Sequence, residues 1–409
     1  MNKVIYTLIL NGSQIVTIGL SILFQILLLR SFNVKEVGTI TSYLALINII
    51  SNVFCFGLNN FLISKFSHDT ESIKYFRNAL LKYIFITAII ATLVFILLGI
   101  NISKDTIYLI MFLPLIFSIS YSGLISSFLQ LKEKFILIAL VLLYVPLIKV
   151  IGILISLYFN NSLYIFLITI FVLSLLFFLY CNRLLNSQFL PKSFQKYKTG
   201  KLNIIGEVIP FGILNFSFLI YTNITLVILG FQNLKDVSAY LSTAYLIINC
   251  ILMIPTLLIQ KIYSTSIHKL LFDKDQLIFK LLKKLIGILI IYGILVIIAY
   301  YFTGDFFINI LFKEHANEIL YATNILLLSI FFRLLNLVNG VVLSSLYFIK
   351  KRMIYEIVMC SLFSILIFLI VGTKNLNFIL YGIVVFDILW SLGYFILFNK
   401  YVKGYLLND

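Results

Sequence analysis

Three ionisable residues lie in the middle of long apolar stretches, where charged side chains are rare. Lys149 is found in YVPLIKVIG, Arg333 in FFRLLN and Asp387 in VVFDILW. Placing such a charge at the centre of a bilayer costs about 3 kcal/mol even on insertion scales, so it indicates a functional site by default. Arg333 can bind a phosphate through paired hydrogen bonds, and Lys149 can attract it as a point charge. These two basic residues favour an anionic substrate.

Asp387 allows two functional interpretations, and a structural one stands beside them. It is either a proton- or sodium-coupling site or the ionic partner of one of the two cations. In the structural alternative, the three residues pair with one another or with backbone carbonyls only to hold helices together. All three interpretations are open at the level of sequence.

The composition identifies an integral membrane protein. The chain of 409 residues is 62% hydrophobic and 11% charged, whereas a soluble domain is about 45–50% apolar and about 25% charged. Uncharged runs such as Val4–Leu29 and Thr106–Leu131 exceed the roughly 20 residues that a helix needs to cross a bilayer. Because lipid offers the backbone no hydrogen-bond partners, and no alternating pattern typical of a barrel is seen, these spans are predicted to be helices.

Twelve apolar spans are separated by polar breaks, and the loops differ in charge between the two sides of the membrane. With a cytoplasmic N-terminus, 23 of the 31 Lys and Arg residues fall on the cytoplasmic side and 6 on the other. This distribution follows the positive-inside rule and predicts that both termini are cytoplasmic. The net charge of +16 then reflects topology, and no nucleic-acid partner is expected. The predicted spans are residues 4–29, 37–63, 83–103, 107–130, 135–158, 162–182, 205–230, 237–260, 285–303, 319–346, 353–372 and 376–398.

A repeat relates the two halves of the chain. SFNVKEVGTITSYLALIN at 31–48 recurs 200 positions later in FQNLKDVSAYLSTAYLIIN at 231–249, and the shared residues include loop charges. SSFLQLKEKF at 126–135 is echoed by SSLYFIKKRM at 344–353. Six spans separate the first two copies, so both run in the same direction through the membrane. The alternative is chance similarity between low-complexity apolar segments.

The repeat predicts the domain organisation. We expect two parallel six-helix bundles, residues 1–188 and 203–409, around a central cavity, with a polar cytoplasmic linker at 189–202. Parallel repeats related by an axis along the membrane normal are a plan of transporters, with the substrate site at the repeat interface. The predicted fold class is therefore all-α and polytopic, with about 12 transmembrane helices.

The first hairpin resembles a known family. LLLRSFNVKEVGTITSYLALIN, followed by CFGLNNFLISKFS, is similar to the opening hairpin of the Wzx-type O-antigen and capsule repeat-unit flippases. These are polysaccharide exporters of the multidrug/oligosaccharidyl-lipid/polysaccharide superfamily. The family's pattern is matched by Arg30, Glu36, Gly38, Gly57 and Leu58, and the likeness extends over essentially the whole chain.

Two positions depart from that pattern. The family often has an acidic residue before the end of span 7, where this chain has Asn223. It often has another just before the Gly-Leu pair, where this chain has Cys55 and Phe56. Ion coupling through those two acids is therefore not expected here.

The resemblance implies a transporter and not an enzyme. Undecaprenyl diphosphate carrying one oligosaccharide unit would be moved by alternating access from the cytoplasmic to the periplasmic leaflet of a bacterial inner membrane. No covalent bond changes in that act. The partners implied are the lipid-linked glycan and membrane lipids, with a glycan polymerase and a ligase as neighbours in the same process.

Candidate site residues come from the spans that would line this path. Lys149, Arg333 and Arg30 would offer charge to the diphosphate or to acidic sugars, although Arg30 ends span 1 and can instead extend to the interface. Asn215 and Asn223 in span 7 can hydrogen-bond glycan hydroxyls or, equally, make interhelical contacts.

Other chemistry has no sequence signal. The chain has no GxxxxGK phosphate loop, and Cys55, Cys181, Cys250 and Cys360 are scattered in apolar surroundings. No cofactor or metal is expected, and energy would come from a proton or sodium gradient or from consumption of the product. Glu207 and Glu356, near the cytoplasmic ends of spans 7 and 11, are expected at the membrane interface.

Two other functions remain as alternatives. A multidrug or small-molecule exporter of the same superfamily would share the fold, but usually carries an acidic cation-binding site. A membrane glycan polymerase would be an enzyme, but tends to need a substantial periplasmic loop for its catalytic residues. All the predicted periplasmic loops are short.

Overall fold

The structure is a computed structural model and is built of helices. It describes residues 3–66, 77–103, 105–185, 204–345 and 347–407, and this part contains no β-strand. The α-helices are α1 Lys3–Ser31, α2 Val34–Cys55, α3 Leu58–Phe66, α4 Arg77–Gly99, α5 Thr106–Leu131, α6 Phe135–Tyr158, α7 Leu163–Leu184, α8 Ile204–Phe231, α9 Lys235–Leu257, α10 Ser264–Phe272, α11 Leu277–Phe312, α12 Ala316–Leu327, α13 Ile330–Leu343, α14 Ile349–Gly372, α15 Leu376–Leu397 and α16 Gly404–Leu407.

The membrane-spanning helices agree with the sequence prediction. Within the described residues, eleven helices are long and apolar enough to cross a membrane, and the bent pair α12–α13 makes a twelfth span. Each of the twelve predicted spans falls on one of these helices or on this pair. The all-α, polytopic fold class is therefore confirmed.

Three spans differ from a single straight helix of the predicted length. Span 2 is interrupted at Phe56 and Gly57, between α2 and α3. Span 10 bends by 52° between α12 and α13. Helix α11 has 36 residues and begins well before the predicted span 9, because its first turns contain lysines that hydropathy excludes but that are good helix formers.

The described helices form two compact units, Met1–Lys235 and Asp236–Asp409. In the first unit α2 is the most enclosed span, with 83% of its apolar window buried, and it packs against α8, α4 and α5. Helix α8 thus joins the first unit, although it belongs to the predicted second half of the chain. In the second unit α15 packs against α12, α13 and α14. The predicted linker at 189–202 lies outside the described residues, and the division at 188 and 203 stays a prediction.

Both copies of the sequence repeat form the same kind of junction between helices. The first copy spans the end of α1 and the start of α2, and the second spans the end of α8 and the start of α9. Asn33 caps α2 by accepting from the backbone N–H of Lys35, and Glu36 accepts from the backbone N–H of Asn33. Asn233 instead has a left-handed backbone, with φ of 57°.

Glycine permits α2 to approach α8 at both ends of their contact. Gly57, in the break after α2, has φ of +77°, and a Cβ there would lie 2.2 Å from the backbone nitrogen of Gly212 in α8. Near the other end, a Cβ on Gly230 of α8 would stand 2.7 Å from the Cβ of Ser42 in α2. Neither position has room for a side chain, so the two helices approach each other closely at these points.

Gly57→Ala is expected to destabilise the protein. The left-handed backbone alone costs an alanine about 1–2 kcal/mol, and the contact with Gly212 adds a clash. We expect a lower thermal unfolding midpoint for the detergent-solubilised protein, measured by fluorescence-detected size-exclusion chromatography. The control is Gly287→Ala in α11, where a Cβ meets nothing within 4 Å and a mid-helix alanine should stabilise slightly. Equal midpoints for Gly57→Ala and wild type would contradict the close approach.

Candidate translocation site

Arg333 and Asp387 form an ion pair inside the second unit. Arg333, near the start of α13, donates from Nε to Asp387 Oδ2 in α15 at 2.7 Å and to Ser329 Oγ at 3.2 Å. The Asp387 side chain is 0% exposed and that of Arg333 is 12% exposed. The guanidinium carbon lies 5.8 Å from the centre of the Tyr245 ring, close enough for a cation–π interaction. Asp387 is thus seen as a partner of a cation.

The ion pair uses only part of the Arg333 guanidinium. Its hydrogen bonds all come from Nε, and no acceptor in the described part of the chain bonds the terminal nitrogens Nη1 and Nη2. Guanidinium carries five N–H donors in a planar fork. Four N–H donors of Arg333 therefore remain for water or for an anion that binds beside it. The bond to Asp387 fixes the orientation of the guanidinium group.

Lys149 is a cation without a carboxylate partner in the described residues. It lies in the middle of α6, which packs along α1, and its Nζ is 5.8 Å from the centre of the Phe24 ring. The Phe24 side chain is 5% exposed. A cation–π contact supplies about 0.5–2 kcal/mol, which is less than the cost of the charge at bilayer depth. An anion or water at Lys149 would supply the remainder.

Arg30 and the two asparagines occupy less enclosed positions. Arg30 is exposed in the last turn of α1, where a cation interacts favourably with the helix dipole. Asn215 and Asn223 are half-buried on α8. Asn215 Oδ1 accepts from Asn60 Nδ2, and Asn223 Oδ1 accepts from Asn48 Nδ2, both at 3.4 Å. These are the interhelical contacts that the sequence left as one of two options, and a role in substrate binding stays a prediction.

The second unit contains a further charged cluster that the sequence analysis did not identify. Arg352 donates from Nε to Glu356 Oε1 at 2.6 Å and from Nη1 to the carbonyl of Gly340 at 2.8 Å, and the Tyr394 hydroxyl also donates to Glu356 Oε1. Glu356 is 2% exposed, so it is buried within the protein, and its position at the membrane interface stays a prediction. The spacing of Arg352 and Glu356, four residues apart on one helix, was the available signal.

Chemically, the described residues are equipped to bind charge and hydroxyl groups. They contain no group of three or more His, Cys, Asp or Glu side chains that could hold a metal ion. Cys55, Cys181 and Cys360 are buried and Cys250 is half-buried, all as free thiols. The arrangement therefore consists of polar contacts between helices and of two cations at mid-span.

The fold is similar to those of solved transporters. Lipid II flippase MurJ in an inward closed conformation superposes with a TM-score of 0.70 at 14% identity, over 99% of this chain and 89% of that chain. An inward-facing multidrug resistance MATE family transporter of the MOP superfamily gives 0.66 at 12% identity, over 96% of both chains. A MOP superfamily transporter from Pyrococcus furiosus gives 0.57 at 10% identity, over 98% of this chain and 96% of that one.

These similarities establish the fold and no more. No protein-family model and no curated protein matches the sequence. The chain is a multi-pass membrane protein with the fold of MOP superfamily transporters, a fold shared by a lipid-linked substrate flippase and by multidrug transporters.

Removing one member of the Arg333–Asp387 pair should destabilise the second unit. Asp387→Leu leaves the Arg333 charge buried without its carboxylate, a change that typically costs about 3–5 kcal/mol. The double variant Arg333→Leu/Asp387→Leu should recover most of that loss, because an apolar pair can replace a buried ion pair at little cost. The measurement is the thermal unfolding midpoint in detergent.

The matched control for this pair is Asp305→Leu, which removes an exposed carboxylate from α11. It should leave the midpoint within one or two degrees of wild type, as surface substitutions usually change stability by less than about 0.5 kcal/mol. A midpoint for Asp387→Leu equal to that of Asp305→Leu would show that the ion pair does not stabilise the fold.

Proposed function

We propose that this protein is a flippase for undecaprenyl-diphosphate-linked oligosaccharide repeat units. It moves them from the cytoplasmic to the periplasmic leaflet of a bacterial inner membrane by alternating access, in the synthesis of O-antigen, capsule or a related surface polysaccharide. Both termini are cytoplasmic in this proposal, as the distribution of Lys and Arg in the loops predicts.

The observation that carries the proposal is a pair of mid-span cationic residues that keep hydrogen-bond donors for a ligand. Lys149 has no carboxylate partner among the described residues, and Arg333 keeps its terminal nitrogens available beside Asp387. The diphosphate is the part of a lipid-linked glycan that hydrocarbon excludes most strongly, and its crossing of about 30 Å of apolar core needs compensating positive charge. Lys149 and Arg333 supply that charge. Arg30 at the end of α1 is the candidate for the first contact with the diphosphate.

The fold supports the proposal without deciding it. One transporter with this fold is a lipid II flippase, so the architecture is compatible with a lipid-linked substrate. The transport cycle needs no bond-forming chemistry from the chain. Its energy would come from a proton or sodium gradient or from use of the product by a polymerase and a ligase on the far side. Asp387 acts as the partner of Arg333 in this scheme.

Export of multidrug-type small molecules is the second candidate, and the MATE fold is the observation that favours it. Exporters of cationic compounds are expected to present carboxylates to their substrate. In the described part of the chain, the two buried carboxylates of the spans, Asp387 and Glu356, each bond an arginine. The described site thus favours an anionic substrate.

A strain lacking this protein should trap single glycan units on undecaprenyl diphosphate in the cytoplasmic leaflet and lose the surface polysaccharide. The measurement is the leaflet orientation of extracted lipid-linked glycans, read by a membrane-impermeant label, beside a gel of surface glycan. Single units that reach the periplasmic face would indicate a polymerase. Unaltered surface glycan would favour small-molecule export.

Lys149→Met should impair flipping by at least about tenfold and leave the protein as abundant as wild type. Methionine keeps the length of the side chain and removes the charge. Because no carboxylate partner is left behind among the described residues, the substitution should not destabilise the fold. The measurement is restoration of surface polysaccharide in the deletion strain at matched membrane abundance.

The control for Lys149→Met is Lys134→Met, at the exposed N-cap of the same helix. It changes the same residue type without altering charge at mid-span, and full restoration is expected. If Lys149→Met restored the polysaccharide as well as Lys134→Met does, the role of Lys149 in binding the diphosphate would be refuted.

A further inference from the structure

The face that α2 and α3 share with α8 carries several uncharged amide side chains among its small and apolar residues. We define the amide seam as Asn48, Asn52 and Asn60 on α2 and α3, together with Asn215 and Asn223 on α8. On α8, positions 212, 215, 219, 223, 226 and 230 follow at intervals of three and four residues, so they form one stripe along the helix. Asn48 and Asn52, four residues apart, likewise share one face of α2.

The hydrogen bonds across the seam are long. Asn48 to Asn223 and Asn60 to Asn215 are both 3.4 Å from Nδ2 to Oδ1, whereas strong N–H···O bonds cluster near about 2.9–3.0 Å. The Asn52 Nδ2 atom is buried and has no acceptor in the described structure. An unsatisfied buried polar group costs about 1–3 kcal/mol. Asn223 Nδ2 donates within α8, to the Leu219 carbonyl at 3.0 Å and to Thr222 Oγ1 at 2.8 Å, so the unused hydrogen-bonding capacity of the seam lies with the other four amides.

The interactions that close the seam are of a kind that can be exchanged. Lipid chains are as apolar as leucine, so helices in a membrane associate through close packing and hydrogen bonds. At one end Ser42 Oγ donates to the carbonyl of Leu226 at 2.9 Å. At the other, Lys65 Nζ lies 2.9 Å from Glu207 Oε2, with side chains 44% and 41% exposed, a pair worth about 0–1 kcal/mol. In the described part of the chain, no buried ion pair crosses the amide seam.

The chemistry of the seam defines its ligand. An amide both donates and accepts, as do sugar hydroxyl and acetamido groups. No charged residue occurs between Gly38 and Asn60 or between Val208 and Gly230, so a carboxylate or a phosphate would find no counter-charge there. The matching ligand is an uncharged, hydroxylated glycan.

We propose that the amide seam is the glycan-binding surface of this transporter. When α2 and α8 part, the two long amide pairs break, and the five amides form hydrogen bonds to hydroxyl and acetamido groups of the uncharged sugars. The diphosphate is handled by Lys149 and Arg333 and not by the seam. The inference rests on the proposed function and adds the class of sugar and the residues that select it.

The test compares two probes on the full chain in lipid nanodiscs. One probe is undecaprenyl diphosphate, and the other is the undecaprenyl-linked glycan isolated from a strain lacking this protein. Wild type should bind the glycan-bearing probe at least about tenfold more tightly than the bare carrier, as expected when several hydrogen bonds to sugar are added. In Asn48→Ala/Asn223→Ala this ratio should fall to about one, with bare-carrier affinity changed by less than about twofold.

Two further variants keep the test decisive. Asn60 is exposed, so Asn60→Ala should fold normally and still lower the ratio by a few fold. Asn309→Ala is the control: Asn309 is an exposed asparagine of α11 that bonds only the carbonyl of Asp305 in the described structure, and it should keep the wild-type ratio.

The outcomes separate this inference from the function on which it rests. A wild-type ratio near one, or seam variants that retain the wild-type ratio, would overturn the glycan-binding role and leave the flippase intact. Loss of binding of both probes by wild type, or a deletion strain that accumulates no undecaprenyl-linked glycan, would overturn both. A lowered ratio of the two probe affinities in both seam variants, with the wild-type ratio kept by Asn309→Ala, supports the glycan-binding role of the amide seam.

Discussion

The interior of a bilayer offers no hydrogen-bond partner, and this constraint governs where every polar group of the protein can lie. Serines and threonines of the spans meet it locally, for instance Ser118, which donates to the carbonyl of Pro114 in its own helix. Charges meet it through ion pairs: Arg333 pairs with Asp387 on another helix, and Arg352 pairs with Glu356 on its own helix. Polar groups that meet it only in part are therefore the places where a ligand can complete the structure.

The two charged clusters of the second unit differ in how their arginines are held. Arg352 bonds Glu356 and the Gly340 carbonyl, and Tyr394 bonds the same carboxylate. Such a network holds helices α13, α14 and α15 in one arrangement. Arg333, by contrast, bonds Asp387 and Ser329 through a single nitrogen. The first cluster is suited to rigidity, and the second combines a fixed orientation with donors that remain available to an anion.

The sequence predicts the spans well because hydropathy is a property of the chain alone. It predicts the partners of polar residues poorly, because those depend on which faces meet. The rule that a mid-span charge marks a site led to Arg333 and Asp387, whose pairing was one of the stated options. Glu356 sits near a span end, so its burial against Tyr394 was not foreseen. Asn48 and Asn60 gave no signal at all, since an asparagine in a membrane helix gains meaning only from the residue opposite it.

The break at Phe56 and Gly57 shows the same limit and connects the fold to the proposed function. A Gly-Leu pair inside an apolar run carries no prediction of a left-handed backbone, yet Gly57 adopts one, and Gly212 lies against it. The contact between α2 and α8 combines missing side chains near its ends with long amide pairs between them. The proposed glycan-binding role requires this contact to open, and the amides are then the polar groups that can meet a sugar.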